Sequence, residues 1–108
     1  MMRVNGVVTL FSPDDEGERF ARKGEFPAWI YHKELLRNTE KGVYKRDNFD
    51  VRIARECLDK VEIGDMIFFG SLADEEFEVC KCSRISAVSE NNVGVNAHWH
   101  LQAEYEYR

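Results

Sequence analysis

Residues 95–107 read Val-Asn-Ala-His-Trp-His-Leu-Gln-Ala-Glu-Tyr-Glu-Tyr, with an apolar or aromatic residue at every second position. Such strict alternation is typical of a β-strand that has one buried and one solvent-exposed face. A helix would spread the same apolar side chains around its whole circumference. We therefore expect an extended strand here, with Trp99, Leu101 and Ala103 on the buried face.

A second strand with the same alternation is expected just upstream, between residues 77 and 87. The Glu-Asn-Asn-Val-Gly segment at residues 90–94 supplies the residues that hairpin turns need, because Asn and Gly tolerate positive φ. We therefore expect residues 76–107 to form one antiparallel hairpin with its turn near Asn92. This turn position would place His98 opposite Ser86 and Cys82 opposite Gln102.

Three further strands are indicated in the first 70 residues. Residues 7–11 form the first strand, which ends at Ser12-Pro13, and the second runs from about Phe20 towards His32. Gly64-Asp65 marks a turn before a short, largely buried strand that ends at Gly70.

Two segments between these strands have weaker patterns. Residues 33–47 are expected to form a loop with one helical turn at its start. In residues 48–60, Phe49 and Ile53 fit both the alternation of a strand and, together with Cys57, the spacing of a helix. We choose a strand followed by a turn, with Cys57 as a small core residue.

The chain shows no internal repeat, low-complexity tract or linker that would mark a domain boundary. We therefore expect residues 1–108 to form a single domain, which the length also favours. Five or six short strands with little helix predict an all-β, mainly antiparallel fold. This fold would be a small β-barrel or sandwich with at most one short helix.

The net charge of −5 disfavours a dedicated nucleic-acid-binding protein, because phosphate contacts need a clustered basic surface. Residues 19–60 have a net charge of +4, whereas residues 61–108 have a net charge of −6. Opposite charges on different faces would favour head-to-tail association of copies. The alternative is that the segments interleave in space and the asymmetry averages out. Apolar runs are too short for a membrane helix, and three cysteines favour a reduced, intracellular protein.

Two pairs of metal-binding residue types stand out, Cys80 with Cys82 and His98 with His100. Residues two apart on a strand share a face, so four such side chains on adjacent strands would bind zinc tetrahedrally if they converged. However, a one-residue spacing on a flat strand spreads the two sulfurs, and the predicted register offsets the two pairs. We therefore expect no metal or other cofactor, and no catalytic residues, since the sequence contains no catalytic motif. A zinc site on these four residues is the alternative.

Several short motifs follow one another in a characteristic order. Ile-Gly-Asp-Met-Ile-Phe-Phe-Gly at residues 63–70 precedes Ile-Ser-Ala-Val-Ser-Glu-Asn at residues 85–91, then Gly94 and His-Trp-His-Leu at residues 98–101. Before them come segments at residues 4–11, 20–29 and 49–53. In this order and in length, the chain resembles the small minor capsid or head–tail connector proteins of tailed phages and prophages of Gram-positive bacteria.

This resemblance implies a structural role without catalysis, as a ring of copies between portal and tail components. The implied partners are further copies and neighbouring virion proteins, with neither a membrane nor a specific nucleic acid involved. The implied location is the bacterial cytoplasm during assembly and then the virion. Residues 33–47 would be a docking arm, since this segment is long, basic and tipped with an aromatic residue. The interface residues expected there are Arg37, Lys41, Tyr44, Lys45 and Arg46.

Two further expectations accompany the resemblance. An acidic channel wall would repel DNA, and the acids expected in it are Glu75, Glu76, Glu78, Glu104 and Glu106. The alternative function is a small intracellular β-barrel module that binds a peptide or small molecule, with a zinc site on Cys80, Cys82, His98 and His100 as one version of it.

Overall fold

The computed structural model describes residues 4–16, 19–39, 42–78, 81–91 and 97–106. Most of this part of the chain is β-strand, and a 3-10 turn lies at Asp74–Glu76. The strands are β1 Gly6–Pro13, β2 Phe20–Thr39, β3 Gly42–Ala54, β4 Met66–Phe69, β5 Ser83–Asn91 and β6 His98–Glu106.

The six strands close into a barrel in the order β1-β2-β3-β6-β5-β4, and all neighbours are antiparallel. The short β4 completes the circle by pairing with β1 on one side and β5 on the other. A closed barrel pairs strands that would otherwise be sheet edges. The predicted all-β, mainly antiparallel class is confirmed, and of the two predicted architectures, barrel or sandwich, the structure has the barrel.

The predicted alternation of β6 is also confirmed. Trp99, Leu101 and Ala103 are buried, whereas Gln102 on the other face is exposed. The buried side chains join residues of every other strand in the main apolar core. Its buried members are Val8, Leu10, Ala28, Val51, Ile53, Leu58, Val61, Ile67, Ile85, Trp99, Leu101 and Ala103.

The predicted turn before β4 is confirmed and has a buried carboxylate at its centre. Gly64 has φ 99°, a conformation that glycine adopts without a Cβ clash. The carboxylate of Asp65, a residue only 2% exposed, accepts hydrogen bonds from Lys23 Nζ at 2.9 Å and the Glu62 backbone N–H at 3.1 Å. It also accepts one from Ser12 Oγ at 3.3 Å, so it ties this turn to β1 and β2.

The prediction of a loop at residues 33–47 is wrong, because β2 continues to Thr39 and pairs with β3 along that whole length. Between Pro27 and Gly42 the sequence contains no Pro or Gly that would interrupt a strand. The pairing reaches Thr39 with Gly42, so the segment forms a hairpin.

The interpretation of residues 48–60 as a strand followed by a turn is confirmed, since β3 ends at Ala54 and a turn follows. The placement of Cys57 in the core is wrong. Cys57 lies within the turn and is exposed, and the neighbouring Leu58 enters the core instead. A turn breaks the periodicity that aligned Cys57 with Ile53.

The predicted hairpin of residues 76–107 forms between β5 and β6, but it is shorter than expected. Phe77 precedes β5 and packs its ring against Phe11, with centroids 4.5 Å apart. Residues 79–80 and 92–96, which include the expected turn centre, lie outside the described residues.

The predicted register of this hairpin is wrong. His98 pairs with Asn91 rather than Ser86, and Gln102 pairs with Ala87 rather than Cys82. The pairing is centred further along the chain than Asn92, and a register shift between Ile85 and Ala87 leaves Ser86 as a bulge.

Candidate functional site

The β2–β3 hairpin extends beyond the strand that flanks it on the β1 side. β1 reaches β2 only as far as the pair Gly6 and Ala28, whereas β2 continues to Thr39. Within the described part of the chain, no strand pairs with this edge of β2 beyond Ala28. We call residues 33–47 the arm; its β2 side presents a strand edge that none of the described strands covers, which we call the open edge.

The open edge begins at a side-chain cap. Asn5 Nδ2 donates to the backbone oxygen of Ile30 at 2.8 Å, and Asn5 Oδ1 accepts from the Ile30 backbone N–H at 2.7 Å. This amide reproduces the two bonds that a further residue of β1 would make. After Ile30 the edge continues into the arm, where a partner strand could add to it.

The arm contains every interface residue predicted from the sequence. In the hairpin register Arg37 pairs with Tyr44, Lys45 with Leu36 and Arg46 with Leu35. Arg46 also pairs with Glu106 of β6, so it lies where the arm leaves the barrel. Lys41 lies outside the described residues.

A polar pocket lies on the outside of the barrel at the base of the arm. It has a volume of about 120 Å³ and crosses β3, β6 and β5. Its lining residues are Asn48, Phe49, Asp50, Ser86, Gln102, Ala103 and Glu104. Two cross-strand pairs, Asn48 with Glu104 and Asp50 with Gln102, bring the polar members together.

The hydrogen bonding inside this pocket is incomplete. Among the described residues, Asn48 Oδ1 is the one buried side-chain N or O atom without a hydrogen-bond partner. Ser86, the bulged residue of β5, donates through Oγ to the backbone oxygen of Gln102 at 3.3 Å. Asp50 Oδ1 lies 3.5 Å from His100 Nε2.

Sequence reasoning missed this pocket. The alternation of β6 already places Gln102 and Glu104 on its outer face, but nothing local shows that β3 brings Asn48 and Asp50 beside them. Ser86 of β5 contributes the third strand of the pocket lining. The predicted register of β5 with β6 did not include the bulge at Ser86.

An aromatic pair lies on the outer face of β2, beside the start of the open edge. The rings of Trp29 and Tyr31 stack with centroids 6.0 Å apart and planes 5° apart, and Tyr31 is 52% exposed. The Arg52 guanidinium carbon lies 5.0 Å from the centroid of the Trp29 ring. Trp, Tyr and Arg are the residue types that most often carry binding energy in protein interfaces.

The structure does not bring Cys82 to the two histidines of the alternative zinc site. Cys82 is buried in a second apolar cluster with Phe11, Met66 and Leu72, not on a polar face. Cys82 lies just before Arg84, the residue of β5 that pairs with Glu104. Glu104 is six residues from His98 along β6, which corresponds to about 20 Å.

Cys80 lies outside the described residues. Within the ranges that the structure describes, no group of three or more His, Cys, Asp or Glu residues is placed to hold a metal ion.

The acids expected in a channel wall are spread over the 3-10 turn, the segment just after it and β6. Glu75 and Glu76 are exposed on the 3-10 turn, whose first residue, Asp74, accepts a hydrogen bond from the Arg22 backbone N–H at 3.2 Å. Glu78 is exposed just after this turn, whereas Glu104 and Glu106 belong to β6.

No helix in the described residues is long and apolar enough to cross a membrane. In comparisons with known proteins, no family model, no curated protein and no solved structure matches this chain.

Proposed function

We propose that this chain is a structural subunit of a tailed phage or prophage, a head–tail connector or minor capsid component that acts by protein–protein assembly. The resemblance of its motif order to such proteins is one support. The compact barrel with a projecting hairpin is a second, because a connector subunit needs a rigid body and an element that reaches its neighbours.

The open edge of β2 is the observation that carries the proposal. Folded proteins normally shorten, cover or bulge their edge strands, because an unpaired edge is a template for another chain. Here most of the barrel is closed, yet β2 continues for eleven residues past Ala28 with its edge uncovered by any described strand. Such an edge is suited to strand addition from a neighbouring subunit.

Charge supports a ring of copies rather than a symmetric dimer. The arm contains five basic and three acidic residues, whereas residues 61–108 contain three basic and nine acidic residues. Contact between the arm of one copy and the acidic part of the next would use two different surfaces. Head-to-tail contacts of this kind form rings when the rotation between subunits closes.

Deletion of the gene from the prophage that carries it tests the proposal. After induction, negative-stain electron microscopy should show DNA-filled heads separate from tails, and expression of the gene in trans should restore tailed virions. Normal virions from the deletion strain would contradict the proposal.

The stack of Trp29 with the exposed Tyr31 is the observation that favours the second candidate function, a small peptide-binding module. In that case the protein would stay monomeric, and a Tyr31→Ala substitution would abolish peptide capture without affecting virion assembly. A phage assembly defect caused by the gene deletion would exclude this alternative as the main role.

A further inference from the structure

We propose that Asn5 is a site of spontaneous chemical modification, where loss of ammonia and addition of water convert the asparagine to aspartate or isoaspartate. The conversion removes the side-chain cap at the start of the open edge and cannot be reversed by refolding. The reaction takes place within a single chain, so this inference does not depend on the proposed function.

The residue after Asn5 makes its side chain reactive. Asn5 and Gly6 form the one Asn-Gly dipeptide of the chain. Glycine has no side chain to hinder its own backbone nitrogen and allows a wide range of φ, so this nitrogen reaches the preceding side chain more easily. The residues that follow the other asparagines are Thr39, Phe49, Asn92, Val93 and Ala97. We therefore expect Asn5 to be the most reactive asparagine of the chain.

The reaction needs no partner other than water. The backbone nitrogen of Gly6 attacks Cγ of Asn5 and loses its proton, the Cγ–Nδ2 bond breaks, and ammonia leaves. This step forms a five-membered succinimide ring. Water then opens the ring at one of its two carbonyl carbons. Opening at Cγ gives aspartate, whereas opening at the main-chain carbonyl carbon gives isoaspartate, in which the main chain runs through Cγ.

The position of Asn5 in the fold allows this reaction to begin. Asn5 is exposed and precedes β1, which starts at Gly6. Its side chain is held by the two hydrogen bonds to the backbone of Ile30, at 2.8 and 2.7 Å. Bonds at the exposed end of a ladder open more readily than those in the core. Each opening releases Cγ of Asn5, so the conversion proceeds through the opened cap.

Both products are unable to restore the cap. Aspartate has no Nδ2 donor, so the backbone oxygen of Ile30 loses the bond of 2.8 Å and faces a second acceptor instead. Isoaspartate adds a methylene group to the main chain before Gly6, which displaces the carboxylate from Ile30. The backbone groups of Ile30 then become accessible, and the open edge begins one cross-strand pair earlier.

Gly6 also has a packing role that the experiment must separate from reactivity. A Cβ at this position would lie 3.1 Å from Cδ1 of the Ile30 side chain, which is closer than ordinary contact. Gly6→Ala alone would therefore disturb the same place as the modification. The double variant Gly6→Ala/Ile30→Val removes Cδ1 and leaves the Ile30 backbone groups that bind Asn5 in place.

The site is tested by incubating the full chain in warm, mildly alkaline buffer and mapping its peptides by mass spectrometry at intervals. We expect Asn5 to convert before Asn48 and Asn91, with aspartate and isoaspartate both formed. Asn5→Gln should keep its mass at this position, because the corresponding ring closure of glutamine is slower. Conversion of Asn48 or Asn91 before Asn5, or no conversion at Asn5, would overturn the site.

The double variant Gly6→Ala/Ile30→Val tests the attacking group. Its Asn5 should convert several-fold more slowly than in the unmodified chain, while its circular dichroism spectrum remains that of the barrel. An unchanged rate of conversion in this variant would overturn the assignment of reactivity to Gly6.

The loss of the cap is tested by hydrogen exchange of the converted protein, which ion exchange separates by its additional negative charge. The backbone amide of Ile30 should lose its protection in the isoaspartate fraction. The backbone amide of Leu101, in the middle of β6, is the control and should keep its protection. Unchanged exchange at Ile30 after conversion would overturn the effect on the open edge, and loss of protection at both amides would show global unfolding instead and would also overturn it.

Discussion

The indole Nε1 of Trp99 donates a hydrogen bond of 2.8 Å to the backbone oxygen of Leu58. This bond joins the centre of the barrel wall to the turn that follows β3, and both residues are buried in the main core. The guanidinium carbon of Arg55 lies 4.9 Å from the centroid of the Trp99 ring, so the same turn also packs against the face of the indole. Trp99 therefore connects β6 to the segment between β3 and β4.

Trp99→Phe should remove this hydrogen bond while keeping an aromatic ring in the core. The buried oxygen of Leu58 would be left without its donor, so the free energy of unfolding should fall by about 1–3 kcal/mol. Urea denaturation followed by circular dichroism measures the change. Tyr31→Phe, at an exposed position, is the control and should change stability little; equal effects of the two substitutions would contradict this role of Trp99.

Asp65→Asn should destabilise the barrel through the turn before β4. The substitution removes the charge that Lys23 contacts at 2.9 Å and weakens the bonds that Asp65 accepts from Glu62 and Ser12. We expect a loss of about 1–3 kcal/mol in the free energy of unfolding.

A double-mutant cycle with Lys23→Met isolates the ion pair within that loss. The cycle should give a coupling energy that decreases as salt is added, since Lys23 is 24% exposed and therefore partly screened. Additive effects of the two substitutions would show that Asp65 acts only through the other two bonds.

Local patterns were sufficient for much of this fold. The alternation of residues 95–107 predicted β6 and its buried face. Gly64-Asp65 and Gly70 predicted where β4 begins and ends. In both cases the signal lies in neighbouring residues, where side-chain period and turn chemistry act directly.

The errors have different causes: Cys57 was misplaced by a local turn, whereas the arm, the register of β5 with β6 and the polar pocket depend on how strands pair. The sequence of the arm predicts a loop because its charged and apolar residues do not alternate, whereas in the structure its β2 and β3 halves pair with each other as extended strands. The β5–β6 register depended on a bulge at Ser86 and on the length of the turn. The polar pocket needs Asn48, Gln102 and Ser86 from three strands, and no local pattern specifies which strands become neighbours.

Lys60→Met should change the titration of Glu62 without unfolding the protein. Lys60 Nζ lies 2.7 Å from Glu62 Oε1, and this hydrogen-bonded ion pair lowers the pKa of the Glu62 carboxyl below its ordinary value and raises that of Lys60. A carboxylate with a lowered pKa contributes stability above its unfolded-state pKa and loses that contribution as the pH falls through the folded value.

The variant should therefore return the pKa of Glu62 towards its ordinary value, as measured by carbon-detected NMR between acidic and neutral pH. Both side chains are largely exposed, so thermal stability at neutral pH should change little. An unchanged Glu62 titration in the variant would contradict the pairing.

Shortening the arm should leave the barrel intact. Lys33 and Asn48 are already cross-strand partners, so replacing residues 34–47 with an Asn-Gly turn joins two strands that are in register for a hairpin. Both core clusters are built from residues outside the arm. The variant should thus give the circular dichroism spectrum of a β-barrel and a cooperative thermal transition; a molten or unfolded product would show that the arm is part of the folding unit.

Sedimentation velocity of the full chain and this shortened variant, over the same range of protein concentrations, tests most directly whether the chain assembles through its arm. The full chain should sediment as a closed oligomer at high concentration, and the shortened variant should remain a monomer throughout. The same sedimentation behaviour for both proteins, whether monomeric or oligomeric, would contradict assembly through the open edge of β2.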